Sequence, residues 1–241
     1  MNADDHPRTP PKLGGVVPFS SCDYPGHLAS VVFISGCPWR CHYCHNPHLQ
    51  ARHKGPTTPS WDDTLAWLAT RKGLLDAVVF CGGEPLAEHW LPQMMQDSRA
   101  LGFKIALHTG GAYPARFKQC LPLLDWVGFD VKAPFADYEQ VTQIRNSGQA
   151  ARASLQMLVE SGVPFECRTT IHPALHNLDS LLQLAGTLAV QGIQDFVLQP
   201  FRASGCSSAM LLQQPVPPGW PDTAMLARLR QLLPGTQVRT H

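Results

Sequence analysis

Apolar and polar positions alternate between two regimes along this chain. Short runs rich in β-branched and aromatic residues are separated by longer stretches in which apolar residues recur at helical spacing, the alternation expected of parallel βα units. The runs predict six strands, over residues 29–35, 77–81, 104–109, 126–131, 165–171 and 195–199. The amphipathic stretches predict helices over residues 60–72, 86–101, 113–121, 135–144, 150–161 and 179–191. A further helix is expected at 222–233, after a stretch from Arg202 to Trp220 rich in Pro, Gly, Ser and Gln.

Crossovers between parallel strands are right-handed, so consecutive units curl in one sense and can close a sheet partly into a barrel. Six units predict an α/β fold, a (β/α)6 partial barrel in a single domain. Such folds carry their chemistry in the loops at the C-terminal ends of the strands. The conspicuous polar groups and glycines fall there one after another. Strand one runs into Gly36–Cys44, strand two into Gly82–Pro85 and strand three into Thr109–Gly111. Strand four ends with Asp130 and Lys132, strand five carries Arg168, and strand six ends at Gln199. The expected organisation is a disordered tail at 1–13, the barrel core at 14–201, and a C-terminal loop and helix at 202–241 placed to cover the mouth.

A length of 241 residues suits one large domain. Lys and Arg (19) nearly balance Asp and Glu (18), and only 15% of residues are charged, against about 25% in average globular chains. There is no basic stripe for a nucleic acid and no basic amphipathic helix for a membrane surface, so neither partner is expected. The low charge points instead to a partner surface or a buried site. No run approaches the ~18 apolar residues of a membrane helix, and the segment 1–12 has no apolar core of a signal peptide. A cytoplasmic location follows as the expectation. In that reducing compartment the eight cysteines point to metal ligation or catalysis rather than to disulfides.

Cys37, Cys41 and Cys44 form a C-x3-C-x2-C set just after the first strand, with Gly36 and Pro38 bending the backbone around it. Three thiolates on a [4Fe–4S] cluster leave one iron open to a small molecule, as a four-cysteine site does not. A structural zinc site completed by His42, His45 or His48 is the competing reading.

The segment GCPWRCHYCHNP at 36–47 resembles the cluster loop of radical S-adenosylmethionine (SAM) enzymes, specifically those that activate glycyl-radical enzymes. The resemblance implies a radical SAM partial TIM barrel whose open iron is chelated by SAM. It implies that Tyr43 contacts the adenine, and that Gly82, Gly83 and Glu84, in a GGEP motif, meet the methionyl amino group. Asp130 and Lys132 resemble the family's DxK motif supporting SAM. Arg168 matches an arginine on the SAM carboxylate or ribose, and Gln199 stands where a ribose or adenine contact is found.

At Thr109-Gly110-Gly111 the relatives have Asp-Thr-Asn-Gly; Thr109 matches, but His108 replaces an Asp that helps hold a monovalent cation. The segment Ser21-Cys22-Asp23-Tyr24-Pro25-Gly26 is similar to the activases' T-x-D-G-P-G, with Tyr24 for Gly, a departure that looks like the branch activating anaerobic ribonucleotide reductase. The implied activity is reductive cleavage of SAM and formation of a glycyl radical on a partner, with flavodoxin or ferredoxin as electron donor. The alternatives are activation of pyruvate formate-lyase, a small-molecule radical SAM enzyme such as a deazapurine synthase, and a zinc-stabilised binding module. Of the remaining cysteines, Cys81 and Cys167 read as core residues, while Cys22, Cys120 and Cys206 are too scattered for a second cluster; Cys206, in a Gly-Ser context, reads as an oxidation-sensitive thiol.

Overall fold

The computed structural model describes residues 9–53 and 58–240. One eight-stranded sheet runs through the chain in sequence order. Its centre is β2 (Ala29–Ile34), β3 (Ala77–Gly82), β4 (Lys104–Thr109), β5 (Trp126–Asp130), β6 (Phe165–Ile171) and β7 (Phe196–Pro200), all parallel. These are the six expected strands, each within a residue of its expected ends. Near-continuous apolar runs produce them because a strand covered on both faces has no solvent side to mark.

Two strands were not expected. β1 (Leu13–Ser20) lies antiparallel on β2, and β8 (Thr236–Val238) pairs in parallel with β7. Gly14, Gly15 and Pro18 give β1 the composition of a loop, yet an edge strand tolerates a proline because its outer side has no ladder to complete. β8 is too short for a period to register. The expected tail at 1–13 lies outside the described residues for positions 1–8. Its last residues are held: the Trp90 indole donates to Thr9 O at 2.8 Å, Lys12 N–H to a Glu88 carboxylate oxygen at 3.1 Å, and Leu13 is buried at the start of β1.

The helices are α1 (Trp61–Ala69), α2 (Leu91–Ala100), α3 (Pro114–Cys120), α4 (Tyr138–Thr142), α5 (Ser147–Ser161), α6 (Leu178–Val190), α7 (Ala209–Leu212) and α8 (Thr223–Leu232). Ser60 with Asp63, and Asn177 with Ser180, form capping boxes that start α1 and α6. The helix expected at 86–101 divides into a 3-10 turn, Pro85–Ala87, and α2, because Glu88 leaves helical geometry and accepts from Trp90 N–H. The helix expected at 135–144 shortens to α4, ended by Gln143 in the left-handed region.

The period of two along each strand separates two interiors. Val32, Ile34, Val78, Phe80, Ile105, Leu107, Val127 and Phe129 belong to the main core, together with the helical residues Leu68, Met94, Phe117 and Leu155. The opposite parity, Ala29, Val31, Ala77, Val79, Ala106 and Trp126, fills the inside of the partial barrel, mostly with small residues around one tryptophan. Tyr24 stacks on Trp126 at 5.4 Å between ring centroids, at the N-terminal end of β5. Toward the other end the same inward parity turns polar: Cys81, His108, Asp130, Arg168 and Thr170. The inside of the barrel is largely apolar toward its floor, where Glu166 is buried against Arg239, and polar at its mouth.

Candidate functional site

The cysteine loop begins where β2 stops. Gly36 takes a positive φ of 107° and donates its N–H to Leu49 O at 2.7 Å, and Cys37 N–H follows to Gln50 O at 3.0 Å. On its other side the loop is tied to α4, with Arg40 N–H on Thr142 O at 2.9 Å and His42 N–H on Val141 O at 3.1 Å. Cys44 N–H closes a turn on Cys41 O at 3.0 Å. The loop is thus fixed by backbone bonds before anything is bound. Cys37, Cys41 and Cys44 all line one cavity of about 180 Å³ at the barrel mouth. A larger concavity of about 870 Å³ lies between α5 and α6 on the outer layer, away from the cysteines.

Gly82 and Gly83 meet this loop directly. A Cβ on Gly83 would sit 2.6 Å from Gly36 O and 2.7 Å from Leu49 O, and one on Gly82 2.3 Å from the Ile34 backbone. Gly83 N–H bonds to Ile34 O at 3.0 Å and Glu84 N–H to Gly36 O at 2.9 Å. The space that Gly83 leaves open is therefore filled by backbone of the cysteine loop and its return at Leu49, and that left by Gly82 by the end of β2.

Glu84 is 2% exposed, and three donors reach its carboxylate: Thr109 Oγ1–H at 2.6 Å, Gly110 N–H at 3.1 Å and Leu86 N–H at 3.1 Å. Burial raises its pKa, against the pull of these hydrogen bonds. The carboxylate joins the ends of β3 and β4.

Asp130 and Arg168 are direct neighbours in the β5–β6 register. Arg168 donates from Nε at 3.1 Å and from Nη2 at 2.9 Å to one Asp130 oxygen, and from Nη2 to Gly128 O at 3.3 Å. Lys132 Nζ lies 3.7 Å from the other Asp130 oxygen, 5.5 Å from the Trp39 ring centroid and 5.7 Å from that of Tyr43. Burial alone would push the Asp130 carboxyl up, but Arg168, Lys132 and His108 together bring it below its usual range.

His108 contacts Arg168 Nη1 through Nδ1 at 3.3 Å and Asp23 O through Nε2 at 2.7 Å. Burial, then the charge of Arg168, lower its pKa to about 3. A neutral ring with its proton on Nε2 satisfies both contacts: Nε2–H donates to Asp23 O, and Nδ1 accepts from the guanidinium. The substituted position thus stitches the 21–26 segment to the Asp130–Arg168 pair.

Of the expected site residues, Cys37, Cys41, Cys44, Tyr43, Gly82, Gly83, Glu84, Thr109, Asp130, Lys132 and Arg168 all border the one cavity. Gln199 lies next to the end of β7 and is not part of the cavity wall. Trp39, Gln50 and Thr170 line the cavity without having been singled out in the sequence. Trp39 carried a signal, an aromatic two residues before Cys41; Gln50 and Thr170 carried none. Cys81, read as a core residue, lies in the cavity wall, with burial pushing its thiol up to about 12.

The donor set suits an iron–sulfur cluster. Burial and then the charge of Glu84 push the Cys37 thiol up to about 12, and Cys41 is also raised by burial, with Lys132 opposing it. Metal ligation releases such protons, and the Lys132 ammonium offsets the charge of the thiolates. Among the described residues no three His, Cys, Asp or Glu side chains converge on one ion. Three thiols spread around one cavity meet a different requirement, one iron each. His45, a candidate zinc ligand, has its Nε2 on Arg202 O at 3.0 Å.

The family model of the radical SAM superfamily matches residues 31–185. The chain is 27% identical over 213 residues to a Methanocaldococcus jannaschii protein provisionally assigned as a glycyl-radical enzyme activating enzyme, covering 85% of this chain and 86% of that one. It is 27% identical over 191 residues to the pyruvate formate-lyase-activating enzyme of Clostridium pasteurianum, covering 76% and 79%. Among solved structures, Streptococcus suis SuiB bound to the precursor peptide SuiA superposes with a TM-score of 0.62 at 15% identity, over 88% of this chain. The chain spans about half the length of SuiB (48%). A domain of a pyruvate-formate lyase-activating enzyme from Bacteroides vulgatus superposes with a TM-score of 0.51 at 16% identity, over 69% of this chain and 99% of that domain.

Proposed function

The chain belongs to the radical SAM superfamily, enzymes that use a [4Fe–4S] cluster and S-adenosylmethionine, and we propose that it generates a glycyl radical on a partner enzyme, an anaerobic ribonucleoside-triphosphate reductase. The observation that carries this reading is the His108–Asp23 contact at 2.7 Å, which binds the activase-like segment 21–26 into the same polar group as Asp130 and Arg168. Similarity to a provisionally assigned glycyl-radical enzyme activating enzyme over 86% of its length supports the reaction class. Tyr24 for Gly in that segment supports the reductase branch. Similarity to two pyruvate formate-lyase-activating enzymes favours that lyase as the second reading of the partner.

When bound, the cluster supplies an electron from a flavodoxin or ferredoxin to SAM, whose C–S bond breaks to give methionine and a radical able to take a hydrogen atom from a glycine Cα. Cys37, Cys41 and Cys44 would each hold one iron of the cluster, and with three cysteines in the loop one iron would remain open to SAM. Glu84, with three donors on its carboxylate, shapes the turn whose backbone faces SAM. Arg168, held by Asp130, His108 and Gly128 in the cavity wall, meets the SAM carboxylate or ribose; Asp130 supports SAM beside it, and Lys132, whose ammonium rests beside the Trp39 and Tyr43 rings, adds positive charge for the SAM carboxylate. Tyr43 packs the adenine, and Gln199, outside the cavity wall, contacts SAM only if the ribose extends toward β7.

The core at 14–201 carries this site, and the first part of the C-terminal segment reaches the cysteine loop, with Cys206 Sγ against His42 O at 3.4 Å, before β8 returns to the sheet beside β7. Among the described residues no helix is long and apolar enough to cross a membrane, and we place the protein in the cytoplasm.

The test is anaerobic reconstitution, followed by reduction with SAM and each candidate partner. Formation of 5′-deoxyadenosine with a glycyl-radical EPR signal on the reductase supports the reading, and a signal on the formate-lyase alone transfers the partner to the second one. No 5′-deoxyadenosine from a fully loaded cluster overturns it.

A further inference from the structure

Lys132 lies just past the end of β5, where the sheet no longer organises the backbone. Side chains hold it instead. Its N–H donates to Tyr138 Oη at 3.0 Å, while the Tyr138 hydroxyl donates to Asp130 O at 3.4 Å. Its carbonyl is met by His176 Nε2 at 2.9 Å. A residue whose two backbone groups are both clamped by side chains from elsewhere in the chain has little freedom to turn, and here that residue carries an ammonium at the mouth.

His176 belongs to a pair. His172 and His176 follow β6 and are 0% and 1% exposed. His176 Nδ1 accepts from the His172 backbone N–H at 3.3 Å, which leaves its proton on Nε2 for Lys132 O. His172 repeats the arrangement: Nδ1 accepts from Ala174 N–H at 3.0 Å, and Nε2–H donates to Gln214 O at 2.9 Å. Its ring also meets Phe201 edge-on at 5.1 Å, and Phe201 stacks on His45 of the cysteine loop at 5.9 Å. Burial lowers both imidazole pKa values and keeps the rings neutral, the state in which one nitrogen donates and the other accepts. The chain Gln214–His172–His176–Lys132–Tyr138–Asp130 runs unbroken from the C-terminal segment to the site.

We infer that His172 and His176 are positioning residues: His176 fixes Lys132 for the carboxylate of SAM, and His172 straps the 201–214 segment over the mouth to the same turn. A buried histidine pair serving only stability would have no need to end on the backbone of a residue whose side chain lines the cavity. The inference rests on the reading of Lys132 as a SAM contact.

The test uses the anaerobically reconstituted enzyme and measures SAM affinity by calorimetry, iron content, and hydrogen exchange before SAM is added. His176→Leu is expected to weaken SAM binding about tenfold at unchanged iron content, and to speed amide exchange around Lys132. His176→Gln, which keeps a donor for Lys132 O, should restore binding to within about twofold. If His176→Leu does not fold, His176→Asn takes its place, since it keeps the acceptor for His172 N–H but no donor reaches Lys132. His172→Leu should speed exchange across 201–214. Wild-type affinity in the variant lacking the donor, beside weakened binding in Lys132→Met, overturns this inference alone. Wild-type affinity in Lys132→Met overturns the SAM-contact reading and this inference with it. Unchanged exchange across 201–214 in His172→Leu removes the strap.

Discussion

Arg168 reaches His108 across Gly128. His108 and Gly128 are paired in the β4–β5 register, and a Cβ on Gly128 would stand 2.7 Å from Arg168 Cζ and Nη1. The glycine is the gap through which the guanidinium bridges two strands. Gly128→Ala should therefore push Arg168 off Asp130 and His108. Asp130 faces the cavity with 35% of its side chain exposed, so solvent screens part of the loss; about 1–3 kcal/mol of stability is expected to go. Urea denaturation of the variant measures this, and SAM affinity should fall in parallel.

Thr109 gives Glu84 a hydrogen bond of 2.6 Å and accepts one from Gly111 N–H at 2.9 Å. Thr109→Val removes the donor from a buried carboxylate and the acceptor from a buried amide at nearly constant shape. A cost of about 2–3 kcal/mol is expected, with Thr109→Ser close to wild type. Equal midpoints for the Val and Ser variants would mean that the contact contributes nothing.

Replacing Cys37, Cys41 or Cys44 by Ala should abolish cluster retention and SAM cleavage, measured as iron per chain and 5′-deoxyadenosine. Cys120 is 1% exposed in the main core, and Cys120→Ala should keep its iron while costing about 1–2 kcal/mol. Cys81→Ala tests a finer point, because Cys81 lines the same cavity but comes from β3 rather than from the cysteine loop: iron content should not change. Iron retained in Cys41→Ala would sink the ligand set.

The pH dependence follows from His108. Its pKa falls from an ordinary 6.5 to about 3 in the folded chain, so the unfolded chain binds the extra proton first. The stabilisation is complete above pH 6.5 and is lost progressively as pH falls from there toward 3. Asp130, also lowered, adds a loss of the same sign at the acid end of that window, and His45, His172 and His176 act in the same sense as His108. His108→Gln keeps a donor for Asp23 O without titrating, and its urea midpoint should decline less than wild type between about pH 7 and 5. An identical slope would show that His108 is charged or exposed in the folded protein.

The sequence by itself determined the six central strands, because each is an apolar run bounded by turn residues and flanked by helical periodicity. It also determined the cysteine set and most of the residues that meet it, since a parallel αβ chain delivers its strand ends to one mouth whatever the fine packing. β1 and β8 escaped notice because edge strands are permitted glycines, prolines and brevity. Only the tertiary structure decided which atoms the site residues meet. Spacing placed Glu84 and Arg168 near the mouth, but their hydrogen-bond partners, Thr109, Gly110, Asp130 and His108, come from other strands and depend on register and burial. Nor does any local pattern mark His172 and His176, whose ring nitrogens find Gln214 and Lys132, each about forty residues away in the chain. Hydrogen-bond partners at such separations are set by the closed fold, where burial makes an unpaired nitrogen costly and so fixes which atoms must meet.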